Sequence, residues 1–394
     1  MKRISYILLF FYGSITTITF SQNRAIEFNH DAWLTVLAKA KKENKMIYID
    51  CYTSWCGPCK WMAKNIFTND TAADFYNTHF INAKIDMEKG EGLEIAKKYD
   101  VRAYPTMLYL NADGEQIHRT CGSTSLDVFV ESGKNALNPE KQLSSVTKNF
   151  YAKKPDAAFA YSYLSMLENA CMSYSKELGV YFSTQKESDL ISSANWKIIY
   201  QYVDDCSSKE FIFLETNKTA FSKLYSNDSV ESKINNVYKS GLYSAIQNND
   251  SLTYTILKTK MRNAKTSEAE QLIQGADIAL YKQKKDWKNY ATTAIAYADT
   301  YLKGNANELN SFAWTFYEHI TEKKALEKAA SWAKQAAAIE PTYAIYDTYA
   351  SVLYKLGNKA EAKKTAEKAI ELAKQSNEDF KETQELLTKI NALK

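Results

Sequence analysis

Two cysteines held two residues apart, in the run Trp55, Cys56, Gly57, Pro58, Cys59, Lys60, limit what this chain can fold into more than any other feature. The run follows Met46, Ile47, Tyr48 and Ile49, an apolar stretch that reads as a buried strand, and it opens a helix expected over Cys56 to Phe67. At a helix start the unpaired backbone amides stabilise negative charge, so Cys56 there holds a thiolate more readily than a free cysteine. The thiolate is the attacking species in disulfide exchange. Cys59, one helical turn on, is placed to reach back and break the resulting mixed disulfide. Pro58 suits the first turn, where no intrahelical donor is lost. A zinc half-site would need a second pair of ligands at close spacing, and His30, His79, His118 and His319 are widely spread. An inert structural disulfide is the other bland reading, and the strand-to-helix placement argues against it.

The surrounding pattern alternates helix and strand from Phe28 to Leu137. Trp33, Val36, Leu37 and Ala40 form one apolar helix face. Phe80 to Asp86 reads as a strand and Leu93 to Tyr99 as a helix. Thr106 to Leu110 and Gln116 to Thr120 flank Asn111, Ala112, Asp113 and Gly114, a hairpin signal, and Ser125 to Leu137 closes the unit as a helix. Such alternation argues for a central sheet covered by helices.

In these motifs, residues from about 26 to 137 resemble a thioredoxin-fold domain, in particular the periplasmic class related to the C-terminal domain of the transmembrane reductase DsbD. Three further positions carry the resemblance. Asp50, six residues before Cys56, falls where the family keeps a buried acid that moves a proton to or from the second cysteine. Tyr104, Pro105 and Thr106 fall where it has a cis-proline loop that packs beside the disulfide and pairs with substrate backbone. Gly122 falls near its late glycine. The resemblance thus implies Cys56, Cys59 and Asp50 as the catalytic set, and Trp55, Gly57, Pro58, Tyr104, Pro105 and Thr106 as the surface that meets substrate. Most prolines are trans, so the cis form rests on the resemblance alone. Asn82 stands where many thioredoxins place a lysine near the buried acid. Cys51 and Cys121 are not expected catalytic positions. Cys51, Cys121, Cys171 and Cys206 allow three pairings, and spacing does not choose among them.

Beyond Asn138 and Pro139 helical spacing dominates. Between 138 and 300 only generic amphipathic helices are visible, and Trp196, Trp287 and the scattered tyrosines there read as core. Over 301–394 three stripes stand out. Leu326, Ala329, Ala330, Ala333, Ala336 and Ala337 end at Glu340 and Pro341; Tyr346, Tyr349, Ala350 and Leu353 stop at Leu356 and Gly357; Ala362, Ala366, Ala369 and Ile370 follow. The second helix pair resembles a tetratricopeptide repeat, a helical hairpin of about 34 residues. An alanine-rich bundle is the plainer alternative. The expected fold is therefore an α/β thioredoxin fold over 22–137, followed by an all-α, tetratricopeptide-like region.

Met1, Lys2 and Arg3 precede an uncharged apolar run from Ile4, and no charge returns through Gln22. This reads as a signal peptide over 1–21, interrupted by Gly13, Ser14 and three threonines in a way that suits a membrane anchor poorly. The expectation is a soluble, periplasmic or otherwise extracytoplasmic protein, where disulfides can form. The net charge of +4 gives no reason to expect a nucleic-acid partner. No flavin, haem or nicotinamide motif is visible, so no cofactor is expected beyond the Cys56–Cys59 disulfide. Electrons should come from a redox protein, which could be membrane-bound, and pass to disulfide-containing client proteins. The Gly57-Pro58 pair resembles reducing thioredoxins and favours a reductase. The rival is a scaffold or client-binding protein whose helical array performs the main role.

Overall fold

The computed structural model describes residues 24–263 and 265–393. The targeting segment expected over 1–21 lies outside the described residues. The chain divides into two compact units, one up to Ile198 and one from Ile199 onward.

The first unit begins with α1 (Trp33–Glu43), β1 (Met46–Tyr52), α2 (Gly57–Asn65), α3 (Asp70–His79), β2 (Phe80–Asp86), α4 (Gly92–Lys98), β3 (Thr106–Leu110), β4 (Gln116–Cys121) and α5 (Leu126–Leu137). The sheet order is β2-β1-β3-β4, with β1 parallel to β2 and both remaining pairs antiparallel. Side chains alternate between the two faces of each strand, which gives the sheet two cores. Ile47, Ile49 and Cys51 pack with Leu108 and Leu110 under Val36 and Ala40 of α1 and Ile95 of α4. Tyr48, Met107 and Tyr109 pack on the opposite face with Met62 of α2, Tyr76 of α3 and Phe129 of α5. The hairpin expected at Asn111–Gly114 joins β3 to β4, with Asn111 N–H donating to Glu115 O at 2.9 Å.

Helix α3 went unread in the sequence. Asn69 caps it by accepting from Thr71 N–H, and Ala72, Ala73 and Tyr76 bury one face. The buried tyrosines explain why the second core tolerates so many hydroxyls. Tyr76 and Tyr109 bond to each other at 2.7 Å, Tyr76 donates to Phe129 O at 2.8 Å, and Tyr109 lies 3.0 Å from Ser132 Oγ. Tyr76 and Tyr109 thus keep partners, whereas the buried Tyr48 hydroxyl has none among the described residues, and Tyr76 still stacks on Phe129 at 4.2 Å.

This unit does not stop at Leu137. It continues through α6 (Leu143–Ala152), α7 (Ala157–Asn169) and α8 (Ser175–Ser183), and the division between units falls inside α9 (Ser193–Tyr202). Helix α6 lies along the free edge of β4, and its Leu143 N–H donates to His118 Nδ1 at 3.2 Å. An edge strand covered in this way cannot template unwanted pairing.

The second unit is helical throughout its described residues. It contains α10 (Lys209–Thr216), α11 (Lys218–Tyr225), α12 (Asn227–Gln247), α13 (Ser251–Asn263), α14 (Ser267–Gln283), α15 (Trp287–Tyr301), α16 (Ala306–His319), α17 (Lys323–Ile339), α18 (Tyr343–Lys355), α19 (Lys359–Ser376) and α20 (Lys381–Ala392). The three expected stripes fall on α17, α18 and α19. Ala329, Ala333, Ala336, Ala362 and Ala366 have no exposure in the shared core, as small residues must where helices approach closely. Gly357 follows α18 with φ of 76°, a left-handed turn that glycine adopts without strain. No helix among the described residues is long and apolar enough to cross a membrane.

Candidate active site

The junction of β1 and α2 holds Cys56 and Cys59 as a disulfide with Cα atoms 5.3 Å apart. Cys56 is the N-cap of α2, in an extended conformation, and its Sγ accepts from Cys59 N–H at 3.1 Å. Pro58 occupies the first turn, as expected. A sulfur at this position receives an amide hydrogen bond and sits at the positive end of the helix, both of which favour its thiolate. Exposure does not separate the two cysteines, since both are buried. The asymmetry lies in the cap bond, which is made by Cys56 Sγ alone.

Two elements flank the pair. Trp55 is 65% exposed; its indole N–H lies 3.0 Å from a Glu88 carboxylate oxygen, and its ring meets Tyr104 edge-on at 6.1 Å. The Tyr104–Pro105 bond is cis. Thr106 donates to Ala103 O at 2.7 Å, which closes the turn, and Gly122 N–H donates to Pro105 O at 2.8 Å with Gly122 at a φ of 87°. The motif, the cis-proline turn and the loop after β4 therefore form one contiguous rim.

Asp50 has no exposure and projects from β1 to the face that α2 covers. Lys84 on β2 stands opposite it in the strand register and places Nζ 3.0 Å from Oδ2. Burial raises the Asp50 carboxyl above its ordinary range, and the Lys84 charge pulls it back only in part. The Lys84 ammonium also sits over the rings of Tyr52, Phe67 and Phe28 at 4.9, 5.3 and 5.6 Å. This corrects the expectation that the site lacks the lysine. Asn82 lies on the same face as Lys84, one pleat back, and spends its amide on Asn77 Oδ1 at 3.1 Å. Parallel pairing of Asp50 with Lys84 was the missing information, and it depends on a register that local sequence does not state.

The remaining cysteines sort into a bonded pair and two free thiols. Cys121 and Cys171 form a disulfide; Cys51 and Cys206 are free. Burial and the nearby Asp50 charge push the Cys51 thiol well up, which makes it a poor nucleophile. Among the described residues no group of three or more His, Cys, Asp or Glu is gathered to hold a metal.

The thioredoxin family model matches residues 25–134. Thioredoxin H4 of Arabidopsis thaliana is 37% identical over 99 residues, which is 25% of this chain and 78% of that protein. The thiol:disulfide interchange protein DsbD of Pseudomonas fluorescens is 25% identical over 114 residues, covering 26% of this chain and only 20% of DsbD. The solution structure of a candidate disulphide-isomerase from Bacteroides thetaiotaomicron is 41% identical, covers 30% of this chain and 98% of its own, and has a TM-score of 0.28.

Proposed function

This chain belongs to the thioredoxin family and is a thiol–disulfide oxidoreductase, and from that premise we propose that it works outside the cytoplasm as a reductase of client disulfides. The reduced Cys56 thiolate attacks one sulfur of a client disulfide, and the other client sulfur leaves as a thiolate. Asp50 takes the proton from Cys59, whose thiolate then attacks Cys56 Sγ and releases the second client thiol. Two electrons pass to the client and Cys56–Cys59 is left oxidised. An extracytoplasmic redox protein, membrane-bound or not, returns the dithiol. The observation that carries this reading is the Cys59 amide bonded to Cys56 Sγ at 3.1 Å, a contact that supports the attacking role of Cys56 by favouring its anion.

Trp55, Gly57, Pro58 and Tyr104 form the surface that meets client backbone, with the buried Pro105 and Thr106 holding the turn behind it, supported by the shared rim of motif, cis-proline turn and Gly122. The helices beyond 138, including the tetratricopeptide-like hairpins of 301–394, recruit clients or the electron donor. The direction of transfer is tested by acid quenching and alkylation of the full chain exported from a Gram-negative host. A reductase is recovered with Cys56 and Cys59 mostly as thiols when its donor is present. Recovery wholly as the disulfide, with oxidation of a reduced test protein, would assign the opposite direction.

A further inference from the structure

We propose that the groove between α5 and α7, floored by β4 and α6, is a docking surface for an extended, apolar stretch of the client polypeptide next to its reacting disulfide. The groove has a volume of about 1170 Å³. It starts at Cys121, Ser123 and Thr124, on the loop whose Gly122 is bonded to Pro105, so it opens from the rim of the redox site. A client chain leaving Cys56 across that rim meets the groove directly.

Helix α7 has two working faces. Ala160, Tyr163, Leu164 and Leu167 are buried, whereas Phe159 and Met166, on a second stripe, are half-exposed and line the groove. Opposite them, Val128 of α5 is 58% exposed on the other wall. Leu143 and Val146 of α6 lie beneath. Apolar side chains left half-covered along both walls of a concavity mark an interaction site rather than a free surface. The lining selects no charge: Asp127, Glu131 and Glu140 are offset by Arg119, Lys134 and Lys141, and Lys141 is itself 3.5 Å from Glu131. The fitting partner is therefore an uncharged, apolar segment in extended form, which unfolded or partly unfolded clients present and folded ones do not. The Cys121–Cys171 disulfide ties the end of β4 to the residues just after α7, so the α7 wall is anchored to the sheet at the end nearest the redox site. Docking there raises the local concentration of the client disulfide at Cys56.

The proposal rests on the oxidoreductase reading for the identity of its occupant, and the test separates the two. The probe is fluorescein-labelled insulin B chain with both cysteines carbamidomethylated, which can bind but not exchange. Anisotropy with the full oxidised chain measures its Kd. Val128→Asp, at an exposed position, and Met166→Asp, from the opposite wall, should each raise that Kd tenfold or more. Both should lower kcat/KM for insulin reduction by a similar factor while reduction of a small aromatic disulfide stays within twofold. Failure of the wild type to bind the probe, or an unchanged Kd in both variants, overturns the proposal. Groove-dependent binding by a wild type that reduces neither insulin nor the small disulfide supports the groove and sinks the reductase reading instead.

Discussion

Replacing Lys84 by Met should destabilise the thioredoxin fold in a pH-dependent way, because the partner it leaves behind is a buried acid. Lys84 Nζ lies 3.0 Å from Asp50 Oδ2, and at an effective dielectric near 20 the attraction is about 5 kcal/mol. The lysine side chain keeps 22% exposure, so solvent screening trims this, and breaking a buried pair costs about 3–5 kcal/mol; we take ~3 kcal/mol. Burial already raises the folded-state pKa of Asp50 above its unfolded value. A carboxyl shifted in that direction binds its proton more tightly when folded. Its contribution is therefore complete at low pH and is lost as pH rises through the folded value, at about 1.4 kcal/mol per pH unit. Without Lys84 that interval lengthens. The variant should lose less near pH 4, toward the acid end at which Asp50 takes up its proton, and fall behind by ~3 kcal/mol at pH 8. Pulse-labelling hydrogen exchange across a urea gradient, read from peptides covering β1 and β3, follows this fold separately from the helical unit. An equal loss at both pH values would show that Lys84 acts through packing and that the ion pair is not what holds Asp50.

Asp50→Asn removes the proton acceptor and should slow attack by Cys59 on a preformed mixed disulfide about a hundredfold at neutral pH, measured by stopped-flow fluorescence; an unchanged rate would remove Asp50 from the mechanism. Burial lowers His118 to about 4, so the folded state resists its protonation and up to ~3 kcal/mol of stability is lost as pH falls from about 6.5 to about 4. His118→Gln should abolish that acid sensitivity in the peptides of β4 and α6, and its persistence would point to another titrating group. A methyl group added at Gly92 would lie 2.0 Å from the Asp86 carbonyl oxygen, a backbone atom that cannot swing aside. Gly92→Ala should therefore cost about 1–3 kcal/mol, seen as a lower urea midpoint for β2, and an unshifted midpoint would contradict the close approach of that loop.

What local sequence states well here is what local chemistry determines. Cys56 to Cys59 sit on four consecutive residues whose helix-start role is set by Pro58 and the preceding strand, and the turn at Asn111 to Gly114 is equally self-contained. The alanine stripes of α17 and α19 are likewise legible, since helical packing repeats every three or four residues. What escaped depends on pairings distant in the chain. Lys84 was overlooked for Asn82 because both point to the same face and only the parallel register decides which one meets Asp50. Cys121 and Cys171 are 50 residues apart and come together only because α6 packs against β4 and α7 packs against α6. The groove beside them has no sequence signature, because its walls are side faces of helices whose main stripes are already buried.

The central claim is that Cys56 attacks and Cys59 resolves. It is tested most directly by incubating reduced Cys59→Ser with oxidised insulin, stopping the reaction with acid, and mapping the products by mass spectrometry. Attack without resolution should leave a stable mixed disulfide joining Cys56 to an insulin chain in near-stoichiometric amount, while wild type accumulates free insulin thiols and the Cys56–Cys59 disulfide. Absence of a Cys56-linked adduct, or an adduct through Cys59 in the reciprocal Cys56→Ser variant at an equal rate, would contradict the assigned roles.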